Sequence, residues 1–256
     1  MTRSTRLFPL LSLALAACTP VPDFHLAQNL SAKPFNQLDL AGNACGPAAL
    51  LNSQRFGKPA WRKLSEQPPG LSDRERIRAI ARGPAMRESA SLPGRARWSR
   101  SGINISDLRD VANEMARPAL LPALTNSTLV ISPIEGKDSH LRRVHANIAR
   151  SLSEGIPPIL SIRLYAKRNG AWTSIQGHFV TVTSVPGSIE PGAASFPVRV
   201  IDPLGGKFRE GNIAISREPG MEFFAEAKFP GITIGKSSLR PGEKSYLAVA
   251  SALGRF

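Results

Sequence analysis

The sequence is short of cysteine, aromatic residues and acidic residues, and each shortage excludes a class of protein. Only two cysteines occur in 256 residues, which excludes a disulfide-rich scaffold. Aromatic residues make up 6% of the chain, and no RNP-type aromatic run, zinc-finger spacing or basic heptad region occurs, so specific nucleic-acid binding is not expected. Acidic residues number 19 against 33 lysines and arginines, giving a formal net charge of +14. That charge favours anionic partners, such as lipid head groups or acidic polymers, without identifying one.

The N-terminus has the order of a secretory signal. Arg3 and Arg6 precede an apolar stretch from Leu7 to Ala17, which is too short to span a membrane as a helix. The end of this stretch and the residue after it read LAAC, and the cysteine is Cys18. These four letters resemble the bacterial lipobox. We therefore predict a signal peptide over residues 1–17, a lipid on Cys18, and a lipid-anchored place in the bacterial cell envelope, facing the periplasm or the surface. The alternative is an ordinary cleaved signal with an incidental cysteine.

The remaining chain divides into a tether and one domain. Residues 18–33 are polar and contain proline, which predicts a tether between the lipid and the domain. Residues 34–256 are long enough to bury a core. Within them, residues 58–101 are the least regular part, with a capped helix from Ser72 to about Arg82 followed by arginines among serine, proline and glycine. We interpret 58–101 as a basic surface insertion, which either covers one side of a cleft or is a solvated loop.

Helical patterns precede strand patterns along this domain. The apolar spacing and end signals predict three main helices, at 45–56, 105–115 and 138–154. The pattern then changes, and stretches separated by turn-rich segments predict strands at 158–165, 178–185, 198–201 and 245–250. Helices followed by strands without alternation indicate an α+β fold, with N-terminal helices packed on an antiparallel sheet.

Cys45 is left without a disulfide partner if Cys18 carries lipid. It lies in the letters NACGPAAL at the predicted start of a helix. Unsatisfied N–H groups and the positive end of the helix dipole favour a thiolate there. Because disulfides are expected outside the cytoplasm, an unpaired thiol in the envelope is a liability unless it is used or deeply buried. We interpret Cys45 as a nucleophile.

A cysteine nucleophile in acyl transfer needs an imidazole to move its proton. Of the four histidines, His25 lies in the predicted tether, and His140 and His145 are five residues apart on one predicted helix, so they lie on different faces and are interpreted as structural. His178 opens a predicted strand, where its side chain can project into a cleft. Asp202 follows another predicted strand and can orient that imidazole. The alternatives are a structural histidine and an aspartate that caps a turn.

Three stretches in this order resemble a known family: NACGPAAL, GHFVTVTSV and VRVIDPLGG. They look like the papain-clan cysteine peptidases that process bacteriocins at double-glycine leaders, especially the stand-alone relatives without a transporter. The stretches GINISDLRDVANEM and SLSEGIPPILSIRL also look like elements of that family. The resemblance covers most of residues 33–206 in patches and implies a papain-like peptidase fold.

The resemblance also implies roles for particular residues. Cys45 would be the thiolate, His178 the general acid and base, and Asp202 the residue that orients the imidazole. The family has a glutamine upstream of the cysteine that donates to the oxyanion, and Gln37 matches that position loosely, with the Cys45 N–H as second donor. Asn43 is the second choice for that donor, and a surface glutamine without a role is the alternative for Gln37.

The expected activity is hydrolysis of a peptide or amide bond through a thioester, with a peptide or a cell-wall peptide as substrate. No cofactor and no metal are expected, because no metal-ligand spacing occurs. The letters GITIGKS at 231–237 have one residue too few for a phosphate-binding loop.

The separation of Cys45 and His178 exceeds that expected of the compact family domain, with the surplus in 58–101, and export-coupled processing is not implied. The rival hypothesis is a non-catalytic lipoprotein that binds peptides or anionic polymers.

Overall fold

Of the described elements, four of the five α-helices lie in the first half of the chain, and the strands β5 to β10 lie in the second. The computed structural model describes residues 23–67 and 71–256. The α-helices are α1 (Cys45–Arg55), α2 (Pro59–Ser65), α3 (Asp73–Arg82), α4 (Ile105–Ala116) and α5 (Lys137–Ser153). The strands are β1 (Phe24–Leu26), β2 (Trp98–Ser99), β3 (Gly102–Ile103), β4 (Thr125–Thr128), β5 (Ile159–Arg168), β6 (Ala171–Pro186), β7 (Ser195–Asp202), β8 (Lys207–Ile215), β9 (Ala225–Lys228) and β10 (Ser245–Gly254).

Six of the strands close on themselves. Antiparallel pairings run in the order β6, β5, β10, β9, β8, β7, and β7 pairs again with β6. The short strands β1 and β4 add to the outside of this ring, on β6 and β10, and β2 and β3 form a separate hairpin. The prediction of an α+β fold with an antiparallel sheet is confirmed at this level.

The ring of strands encloses one hydrophobic core. Its members alternate along the strands, as residues on one face of a strand do, and include Ile162, Val180, Val200, Ile213 and Val249. The predicted third helix is present as α5, and its apolar stripe belongs to the same cluster through Leu141, Val144, Ile148 and Leu152.

A second core lies between the helices and the sheet. Leu50 of α1 and Leu108 of α4 are buried there with Phe179 of β6. Gly46 lets these elements approach closely, because a Cβ at that position would collide with Ile103 Cγ2. The start of α1 is therefore held tightly against the hairpin and the sheet.

The segment 58–101 is more regular than we predicted. Its predicted helix is present as α3 with the expected capping box, in which Ser72 Oγ accepts from the Glu75 N–H and Glu75 Oε2 accepts from the Ser72 N–H. The segment also holds α2 and β2, and Trp61 and Ile77 are buried in the second core. These helices thus complete the core under α1 and are not only a surface insertion.

The predicted tether is also partly wrong. Phe24–Leu26 pairs with β6, the Ala27 N–H donates to Thr183 O at 2.8 Å, and the Gln28 N–H donates to Phe56 O at 2.9 Å. Residues 24–28 are therefore part of the domain. The predicted signal peptide and Cys18 lie outside the described residues. Among the residues described, no helix is long and apolar enough to cross a membrane.

Candidate active site

Cys45 is the first residue of α1, as predicted. The next nine residues of the helix are buried, whereas Cys45 is partly exposed and forms no disulfide within the described part of the chain. The first N–H groups of a helix have no partner within the helix. The sulfur therefore lies at an accessible, electropositive helix end.

The site forms where the ring of strands opens, between β6 and β7. The two strands pair only from Thr181 to Ser184 on β6, so the part of β6 that precedes Thr181 pairs with β5 alone. His178 lies in that part, and Asp202 is the last residue of β7. Both side chains are buried, with His178 Nε2 and Asp202 Oδ1 2.8 Å apart. Because Nε2 faces Asp202, Nδ1 is the ring nitrogen left for Cys45.

The surroundings of His178 favour its protonated form. Burial alone lowers the pKa of the imidazole, but the hydrogen bond to Asp202, the hydrogen bond to Cys45 and the negative charges of both groups raise it to about 9. The structure thus brings Cys45, His178 and Asp202 together, and the raised pKa of His178 favours a protonated imidazole at neutral pH.

Asp202 is itself held in place by three contacts. Its Oδ1 accepts both from His178 and from the Leu204 N–H at 2.9 Å. Arg209 Nε lies 4.0 Å from its Oδ2. Arg209 is on β8, a strand that the sequence did not predict, so sequence reasoning missed it.

Gln37 lies beside this group. It is buried, its backbone N–H donates to Pro203 O at 2.8 Å, and its Nε2 donates to Gly42 O at 2.5 Å. Its Oε1 is buried and accepts no hydrogen bond among the described residues. Gln37 therefore bridges the turn after Asp202 and the loop before Cys45.

Asn52 holds that bridge against α1. Its Oδ1 accepts from the Phe35 N–H at 2.7 Å, and its Nδ2 donates to Phe35 O at 3.2 Å. The segment is also fixed to the β7–β8 turn, since the Gly205 N–H donates to Asn36 Oδ1 at 3.0 Å. Sequence reasoning missed Asn52. Its only signal was a polar residue that follows the apolar run of α1.

Asn43 is bonded to the hairpin of β2 and β3. Its Nδ2 donates to Ser99 O at 2.8 Å and to Arg100 O at 3.2 Å, and its carbonyl accepts from Trp98 Nε1 at 3.2 Å. These bonds fasten the hairpin of β2 and β3 to the loop before Cys45. The structure therefore does not support Asn43 as the second candidate for an oxyanion donor.

The other histidines have structural positions. His140 Nε2 and His145 Nε2 each lie 2.7 Å from a backbone carbonyl, of Leu129 and Pro186, and burial lowers the pKa of both imidazoles. His25 is in β1 and opposite Val185 of β6. All three are outside the group around Cys45.

Over residues 23–67 and 71–256, no group of three or more histidine, cysteine, aspartate or glutamate side chains is placed to hold a metal ion. The stretch 231–237 lacks the long helix that a phosphate-binding loop requires, because only a 3₁₀ turn, Lys236–Ser238, follows its second glycine.

Comparison of the chain with protein-family models, with curated proteins and with solved structures finds no match.

Proposed function

We propose that the protein is a papain-like cysteine peptidase that hydrolyses a peptide or amide bond through a thioester on Cys45. The observation that carries the proposal is the buried pair of His178 and Asp202, 2.8 Å apart, beside a partly exposed thiol at a helix start. A nucleophile, a base and a group that orients the base are the three parts that this chemistry needs. The order helix start, strand and next strand also agrees with the resemblance of the three sequence motifs.

The chemistry follows from the charges. The Cys45 thiolate attacks the carbonyl carbon, and the His178 imidazolium gives its Nδ1 proton to the leaving amine as the carbon–nitrogen bond breaks. This leaves a thioester and a neutral imidazole. Water then attacks the thioester, His178 takes a proton from that water, and the carboxylic acid leaves as the Cys45 thiolate is restored.

The oxyanion in both steps needs donors fixed before the reaction. The Cys45 N–H is one, because first-turn N–H groups of a helix lack partners within it. Gln37 Nε2 is the other: one of its hydrogens goes to Gly42 O, and the same nitrogen carries a second hydrogen.

A lipid on Cys18 would hold this site close to the membrane. Asp23 is attached to the domain, because its O accepts from the Gly187 N–H at 2.5 Å. A fully extended chain covers at most about 3.6 Å per residue, so Cys18 and Asp23 are at most about 18 Å apart. The substrate class we propose is therefore a peptide or cell-wall peptide near the membrane surface of a bacterial envelope.

Two cysteine variants test the proposal: one removes the proposed nucleophile, Cys45, and the other removes the proposed lipid anchor, Cys18. We expect the mature protein to cleave members of a peptide and muropeptide library, as detected by mass spectrometry. Cys18→Ala should retain that cleavage and Cys45→Ser should lose it. Binding of peptides without cleavage by the unmodified protein would instead identify a non-catalytic peptide-binding lipoprotein.

A further inference from the structure

Helix α1 crosses one face of the sheet along β6. Thr181 Oγ1 donates to Ala49 O at 3.0 Å, and Phe179 Cδ2 lies 3.6 Å from the position that a Cβ on Gly46 would take. Alternate residues of a strand share a face. Thr181 and Phe179 therefore mark the line of α1 on β6, and Gly177 is the next position on this line, beyond the turn that holds Cys45.

The surface over Gly177 is open. Gly177 is exposed, and a Cβ placed on it would meet no atom within 4 Å. Its chain neighbour is His178, the proposed general acid and base. Because neighbouring residues of a strand point to opposite faces, this open surface does not include the imidazole itself. It lies in front of the helix start that carries Cys45, where the substrate chain of the proposed peptidase has to pass.

Arg163 is on the same surface. The register between β5 and β6 is continuous here and pairs Ser161 with Phe179 and Arg163 with Gly177. Directly opposed residues share a face, with Cβ atoms about 4.5–5.5 Å apart. Along this face of β5, Ser161 is buried under α1, whereas Arg163 is exposed.

Arg163 has no anionic partner among the described residues, because none of the ion pairs found there includes it. On its other side, Arg163 is opposite Ala248 of β10, which is itself opposite Glu226 of β9. That glutamate is paired elsewhere, because its Oε2 lies 3.4 Å from Lys228 Nζ. The five N–H donors of the Arg163 guanidinium are thus not taken up by a carboxylate of the chain.

We infer that Arg163 is a specificity-determining residue that binds a carboxylate of the substrate close to the scissile bond. The inference rests on the proposed peptidase function and names its substrate as an acidic peptide. A guanidinium binds a carboxylate with two parallel hydrogen bonds, which gives both charge and direction. The carboxylate is either an acidic side chain or the free C-terminal carboxyl of a short peptide.

Two small alkylating reagents test Arg163 without a known substrate. Iodoacetate carries a carboxylate and iodoacetamide does not, so the ratio of their rates at Cys45 reports the attraction of an anion to the site. We expect Arg163→Gln to lower this ratio about threefold or more. Lys167→Gln is the matched control, because Lys167 is exposed on the same strand, about 13 Å further along at 3.3 Å per residue, and should leave the ratio unchanged.

Peptide pairs then separate the two sources of the carboxylate. One pair exchanges glutamate for glutamine beside the scissile bond, and the other exchanges a free C-terminus for an amide. We expect one acidic member to be cleaved about tenfold better, and the advantage to disappear in Arg163→Gln. A reactive Cys45 with the same reagent ratio in both proteins would overturn the role of Arg163 alone. A Cys45 inert to both reagents would overturn the peptidase proposal and this inference with it.

Discussion

Replacing Asp202 by asparagine removes one negative charge from the buried site with almost no change of shape. The His178 imidazolium then loses the anion 2.8 Å from its Nε2, while the burial that lowers its pKa remains. An adjacent opposite charge shifts a pKa by about one to three units. From a starting pKa of about 9, we expect a fall of about one to two units in Asp202→Asn, or about 1.4–2.8 kcal/mol.

This fall has a measurable consequence at pH 8. The protonated fraction of His178 drops from about nine-tenths to between about one half and one tenth, and we expect peptide hydrolysis to slow about a hundredfold because the imidazole is also misoriented. Carbon-13 NMR of the histidine rings follows the titration, with His178 assigned from the signal missing in His178→Gln. Asp138→Asn, on the exposed side of α5, is the control. An unchanged titration of His178 in Asp202→Asn would refute the role of the carboxylate.

Three further predictions concern His178 and the residues around the pair. Gln37→Ala should lower kcat about ten- to a hundredfold through loss of an oxyanion donor, yet leave the alkylation rate of Cys45 unchanged because alkylation forms no oxyanion; slowed alkylation would show a structural role instead. Asn52→Ala should lower the free energy of unfolding by about 2–4 kcal/mol, because it leaves two backbone groups of Phe35 unpaired, and a loss below 1 kcal/mol in urea unfolding would contradict this. Since the pKa of His178 is raised to about 9, its contribution to stability, up to about 3 kcal/mol, should be complete below pH 6.5 and disappear as the pH rises through 9; urea unfolding of His178→Gln should lack this loss.

The helices and the long strands were predictable from local patterns. In α1, α4 and α5, apolar spacing and end signals agree, and β5, β6, β7 and β10 contain stretches of strand-forming residues separated by turn-rich segments. Local sequence predicts an element well where its own residues bury one face. The strand bounds still differ, since β6 begins at Ala171, before the predicted start at His178.

The missed elements depend on their neighbours. β1 has three residues and is a strand because it pairs with β6, which no local pattern encodes. β8 carries Arg209, Glu210, Gly211 and Asn212 in its middle and lacks the run of β-branched residues by which strands are identified. Its place is fixed by pairing with β7 and β9 on its two sides.

The same distinction holds in the site. Cys45 and Asp202 lie at the ends of elements that the sequence predicts, whereas His178, the predicted first residue of its strand, lies inside β6. The order of these elements still let their approach be expected. The part played by Asn52 arises from contact with a distant segment, and the position of Arg163 arises from the register between two strands. Such relations are properties of the folded chain.

The alkylation rate of Cys45 at pH 6 tests the central claim most directly. A free thiol is almost wholly protonated at that pH, so rapid reaction requires the His178 imidazolium to stabilise the thiolate. We expect iodoacetamide to label the protein on Cys45, as located by peptide mass spectrometry, at least about tenfold faster than it labels His178→Ala. Equal and slow labelling of the two proteins would contradict the claim that Cys45 is a nucleophile activated by His178.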